Sequence, residues 1–96
     1  MTEVTDNRER SHYELRVDGQ LAGWIVYRAA PDVVTMVHTE IEPEWEGQEL
    51  GSVIAAGALD DVRARGLKVR PLCPFVAGYI QRHPEYADLV APEALR

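Results

Sequence analysis

The hydrophobic period of this chain changes at Leu50, and that change limits the folds open to it. Upstream, apolar residues recur at every second position. Tyr13, Leu15 and Val17 alternate with charged residues, the mark of a half-buried strand. Asp18-Gly19 follows, a two-residue hairpin signal because Gly accepts the positive φ of a tight turn. Leu21 to Arg28 is rich in β-formers and reads as the return strand. Ala30-Pro31-Asp32 makes a second turn, and Val33 to Ile41 a third strand. A regular pleat puts Val33, Thr35, Val37, Thr39 and Ile41 on one face and Val34, Met36, His38 and Glu40 on the other. Both faces are largely apolar up to Val37, as expected for a strand covered on each side.

Downstream, Leu50, Val53, Ile54, Gly57, Ala58 and Val62 recur at helical spacing, leaving Asp60, Asp61, Arg63 and Arg65 for solvent. Gly66 is a helix stop. Leu67 to Leu72 reads as a fourth strand, and a strand–helix–strand order implies a parallel crossover. Pro74 suits the first position of a last helix that runs to about His83 and ends at Pro84. The order β-β-β-α-β-α predicts an α+β (α/β sandwich) fold with a mixed sheet. Residues 1–11 lack apolar periodicity and are expected to be a mobile tail. Residues 12–96 form the single domain, since 96 residues hold one core and not two.

The net charge of −6 argues against nucleic acid or an anionic membrane as partner. One cysteine excludes an internal disulfide and a multi-cysteine zinc site. No apolar run has membrane-spanning length and the first ten residues are polar, so a cytoplasmic protein is expected.

The turn between third strand and helix reads Glu46-Gly47-Gln48-Glu49-Leu50-Gly51-Ser52. Unpaired N–H groups at a helix start form an anion site when glycines let a phosphate approach. Two glycines there also suit a plain tight turn. Five glutamates (Glu40, Glu42, Glu44, Glu46, Glu49) crowd this stretch. At about 5 Å and an effective dielectric near 20, one carboxylate repels a phosphate charge by roughly 3 kcal/mol. The other role open to Glu46 and Glu49 is to stabilise the first helical turn through the macrodipole.

Cys73 precedes Pro74 and is therefore the expected N-cap of the last helix, where the dipole favours a thiolate. Parallel neighbouring strands end on the same side, so Cys73 and the glycine turn should share one sheet edge, the usual ligand side of open α/β sheets. A buried structural cysteine is the competing reading. His38 and His83 are candidate bases, and Tyr79 reads as packing. Arg63, Arg65, Lys68 and Arg70 read as a solvated basic face.

The run VVTMVHTEIEPEWEGQELGSVIAAGALDDVRARGLKVRPLCPFVAGYIQRHPEY resembles the short, minimal GNAT-type N-acetyltransferase-like proteins. It does so through HTE on the central strand, the glycine turn, and PLCPFVAGYIQRHPEY. The resemblance spans about Leu15 to Val90. It implies a GNAT-like fold of acyl-CoA N-acyltransferase topology, holding acetyl-CoA (coenzyme A) between two splayed parallel strands. The family's pyrophosphate loop, Arg/Gln-x-x-Gly-x-Gly/Ala, falls on residues 46–51. Gly51 matches and Gly47 is additional; Glu46 replaces the basic or amide position and Glu49 the central glycine. The family's cysteine, proposed as catalytic or acyl-accepting, falls on Cys73.

Two functional readings follow. In the first, the protein transfers acetyl from acetyl-CoA to an amine of a small molecule or protein, with weakened coenzyme binding. Gly47, Gln48, Glu49, Leu50, Gly51 and Ser52 would hold the pyrophosphate, Thr39, Glu40 and Ile41 the pantetheine amides, and Cys73 and His38 would be catalytic. In the second, a non-catalytic GNAT-fold module binds a basic protein partner. A monomer or weak homodimer is expected, with no metal site, because the glutamate spacing is not that of an EF-hand loop.

Overall fold

The computed structural model describes residues 1–92. Four antiparallel strands and a fifth parallel one form a single sheet in the order β1-β2-β3-β4-β5. They are β1 (Thr2–Asn7), β2 (His12–Val17), β3 (Gln20–Ala29), β4 (Val33–Ile41) and β5 (Lys68–Pro71). Helix α1 (Leu50–Ala64) links β4 to β5, and α2 (Pro74–Arg82) follows β5. Short 3-10 turns occupy Pro43–Trp45 and Pro84–Leu89. Val90 bridges to Val69 and the Ala91 N–H donates to the Val69 carbonyl, covering the outer edge of β5. The expected domain boundary at residue 96 lies outside the described residues.

The mixed sheet, the Asp18-Gly19 turn (φ +49° and +84°), the helix stop at Gly66 and the Cys73 N-cap all follow the sequence pattern. The expected tail does not. Residues 2–7 pair along the whole of β2 as an edge strand. One apolar residue holds it: Val4 lies against Gly57 of α1, where an added Cβ would stand 2.7 Å from the Val4 Cβ. The rest of the attachment is polar, and apolar periodicity cannot report it. Asp6 is nearly buried, accepts from the Tyr27 hydroxyl, and pairs with Arg65 at 2.9 Å.

The helix residues assigned to solvent are correspondingly engaged. Asp61 accepts from Tyr13 (2.7 Å) and pairs with Arg65, Asp60 accepts from Tyr86 (2.8 Å), and Arg63 pairs with Asp88 (2.9 Å). Strand β4 departs from a regular pleat. Its register with β3 jumps from Val26↔His38 to Tyr27↔Met36, so Val37 is an extra, bulged residue. The bulge reverses the facing of everything beyond it. Thr39 and Ile41 therefore turn to the side of Val34 and Met36, while His38 and Glu40 are exposed on the other.

Both helices pack on one face of the sheet, around Leu15, Ile25, Met36, Ile54, Leu59 and Val76. The opposite face carries no helix among the described residues, so β4 is covered on one side only.

Candidate active site

The β4–β5 pairs end at Met36↔Pro71, yet β4 runs on to Ile41. The Cys73 N–H closes the junction by donating to the Met36 carbonyl (2.9 Å). Beyond this point the two parallel strands diverge. β4 keeps β3 on one side and presents its other backbone edge to a cleft.

The helix starts of α1 and α2 converge on that cleft, which measures about 340 Å³. Six of the expected residues line it: Glu40, Ile41, Gly47, Glu49, Leu50 and Gly51. Gln48 and Ser52 belong to the same turn but do not form its wall. Trp45, Glu46 and Phe75 also contribute, and the sequence pattern does not point to the two aromatics. Trp45 arrives on the 3-10 turn opened by Pro43, a proline at a first helical position that could have signalled it. Phe75 carries no such signal. Its ring lies over Gly51, where a Cβ would fall 2.7 Å from the ring, so this glycine is a matter of space.

The turn itself is left-handed at two places, Gly47 (φ +82°) and Glu49 (φ +58°). Glu49 is the N-cap of α1 and makes no side-chain cap bond, so neither it nor Glu46 sits in the first helical turn as expected. The carboxylate of Glu49 is exposed. Leu50 and Gly51, the first residues of α1, line the cleft, and the first amides of a helix have no intrahelical acceptor. Among the described residues, no basic side chain lines the wall.

Cys73 is buried (3% exposed) and its Sγ lies 3.3 Å from Thr39 Oγ1, with either atom able to donate. The bulge at Val37 brings these two side chains together. It also separates them from His38, which stands on the opposite face of β4 with its Nε2 3.6 Å from Glu40. His83 stacks on Tyr79 at 4.1 Å, at the far end of α2 from Cys73. Arg70 donates to Thr35 on the outer face (3.2 Å).

A family model described as GCN5-related N-acetyl-transferase matches residues 12–89. No curated protein matches the chain. Among solved structures, a GCN5-like protein from Staphylococcus aureus superposes with a TM-score of 0.67 at 19% identity, over 93% of this chain and 87% of that one. A ribosomal-protein-alanine N-acetyltransferase from Brucella melitensis biovar Abortus 2308 gives 0.58 at 18%, over 83% and 60%. Ard1 from Thermoplasma volcanium gives 0.54 at 18%, over 67% and 45%. At such identities these likenesses establish the fold, an α+β sandwich of the acyl-CoA N-acyltransferase kind.

Proposed function

The chain belongs to the GCN5-related N-acetyl-transferase family, and from that premise we propose that it transfers the acetyl group of acetyl-CoA to an amine. The observation that carries this reading is the divergence of β4 and β5 beside the free amides of α1, with Thr39 and Cys73 in contact at its base. The donors present fit the coenzyme through backbone alone. The edge of β4 over residues 39–41 is free to pair with pantetheine amides, and the amides of residues 47–52 can receive the pyrophosphate. Ordinary coenzyme affinity would call for a cation at the wall; here Glu46 and Glu49 stand there, so weakened binding is expected.

Acetyl-CoA supplies the activated acyl thioester when bound. Thr39 and Cys73, in contact at 3.3 Å, would be the groups that supply a proton to the leaving thiolate of the coenzyme, with Cys73 as the acid. Glu40 and His38, exposed on the other face of β4, take the proton lost by the attacking amine. Glu46 and Glu49 raise the local concentration of a cationic acceptor.

Calorimetric titration with acetyl-CoA tests the reading. Saturable binding with a millimolar or lower Kd supports it, and no heat at millimolar coenzyme overturns it. Loss of turnover in Cys73→Ala with coenzyme binding retained would assign the thiol to the chemical step. A second reading, a non-catalytic module for a basic protein partner, draws support from Glu40, Glu46 and Glu49 in the cleft. Absence of coenzyme binding would favour it.

A further inference from the structure

The face of the sheet away from the helices holds a second concavity, of about 380 Å³, between β1, β2 and β3. Its floor is Trp24, against which the His12 ring stacks at 6.3 Å and 12°. Leu21 extends the apolar wall and is 36% exposed. Glu14 is the one buried charged residue among those described, and both its oxygens are engaged. Asn7 donates to one at 3.1 Å and Arg16 to the other at 3.2 Å. Glu14 therefore fixes the Arg16 guanidinium in the wall, and its charge is balanced by that pair. Arg10 also lines the pocket, and no acceptor for its guanidinium occurs among the described residues. The lining thus carries one net positive charge in a chain of net charge −6.

Strand register connects this pocket to the coenzyme cleft. Glu14, Trp24 and Glu40 are consecutive partners across β2, β3 and β4, and His12, Val26 and His38 form the neighbouring row. Glu40 is at once the cross-strand neighbour of Trp24 and a wall residue of the cleft. One surface therefore runs from guanidinium groups, over an indole, to a carboxylate and an imidazole beside the diverging strands. From β2 to β4 is two strand spacings, about 10 Å.

We propose that this pocket is an acceptor subsite, seating the carboxylate and apolar stem of an amphoteric alkyl amine whose ammonium group reaches Glu40 and His38. The proposal rests on the acetyltransferase reading for what happens to the amine, but not for the binding itself. The carboxylate end pairs with Arg10 and the unused N–H groups of Arg16. The methylene stem lies on Trp24, where the ring face also favours a nearby ammonium. At the far end Glu40 holds the cation until its proton is lost. Substrates of this class include lysine and ω-amino acids, whose two charges are held apart by a flexible chain.

The two tryptophans report the two sites separately, since Trp24 floors the pocket and Trp45 lines the cleft. Their indole N–H resonances in the unsubstituted protein, assigned with Trp24→Phe, are followed by NMR during titration with 6-aminohexanoate. Hexylamine and hexanoate serve as single-ended controls. A saturable shift of the Trp24 resonance is expected, with each control bound about tenfold more weakly for want of one charge-assisted contact. Arg10→Met and Glu40→Gln should each bring 6-aminohexanoate down to the matching control. An unmoved Trp24 resonance overturns the proposal, and so does equal affinity for all three ligands. If acetyl-CoA shifts Trp45 while 6-aminohexanoate leaves Trp24 unmoved, the subsite falls and the acetyltransferase reading stands. If Trp24 responds and the coenzyme does not bind, the subsite stands and the acetyltransferase reading falls.

Discussion

Replacing Glu49 by glycine should stabilise the protein and tighten coenzyme binding, and the two effects have separable causes. Glu49 caps α1 with φ +58° and no side-chain cap bond. A left-handed conformation costs an L-residue roughly 1–2 kcal/mol. Glycine relieves that cost but gives back about 0.4–1 kcal/mol through the greater freedom of its unfolded chain. The net gain is about 0.5–1 kcal/mol, a rise in Tm of roughly 2–8 °C for a domain of this size. Binding responds to the charge rather than to the backbone. The Glu49 carboxylate is exposed, so its repulsion of a phosphate belongs near the aqueous limit. There, two charges about 4 Å apart interact by about 1 kcal/mol, close to fivefold in affinity. Glu49→Gln removes the charge and keeps the strain, so it should match glycine in coenzyme affinity but not in Tm. Differential scanning calorimetry and coenzyme titration of the two variants read both quantities, and added salt should narrow the affinity differences. Equal Tm values for Glu49→Gly and Glu49→Gln would refute the strain assignment. Unchanged coenzyme affinity in both would place the pyrophosphate away from this turn.

Asp6→Ala leaves the Tyr27 hydroxyl and Arg65 without their shared carboxylate; urea denaturation should show a loss of about 2–4 kcal/mol, and a loss below about 0.5 kcal/mol would mean that β1 is not tied down this way. Gly57→Ala puts a Cβ against Val4 and should cost about 1–3 kcal/mol. Val4→Ala in the same chain should recover part of that cost, and strict additivity of the two changes would rule out the contact. Burial, then hydrogen bonds to Asp6 and Asp60 respectively, push the Tyr27 and Tyr86 hydroxyls up to about 12. These phenols stay neutral in the folded protein while those of the unfolded chain ionise from about pH 10. Stability should therefore be insensitive to them below about pH 9 and fall as pH rises from about 10 towards 12. Tyr27→Phe should flatten that decline in an alkaline melting series, at a cost of about 1 kcal/mol at neutral pH.

Elements with local signals were legible in the chain. Period two located β2, β3 and β4, and the shift to period 3.6 at Leu50 located α1, because burial on one face imposes that period directly. Asp18-Gly19, Gly66 and Pro74 marked their boundaries through backbone geometry, and Cys73 took the N-cap place that the following proline predicts. Tertiary structure alone decided the rest. Beyond its pairing with β2, strand β1 is attached by Asp6 and one valine to residues about twenty and more positions away, and no local apolar pattern encodes such partners. The bulge at Val37 has no mark in the chain, since it is a mismatch in length between β4 and β3. It nevertheless reverses the facing of the residues beyond it, setting Thr39 on Cys73 and sending His38 to the opposite surface. Phe75 over Gly51, and Trp24 in line with Glu14 and Glu40, likewise exist only once strands and helices are in register. Periodicity states which face of an element is buried; what stands opposite each side chain is set by pairing across the fold.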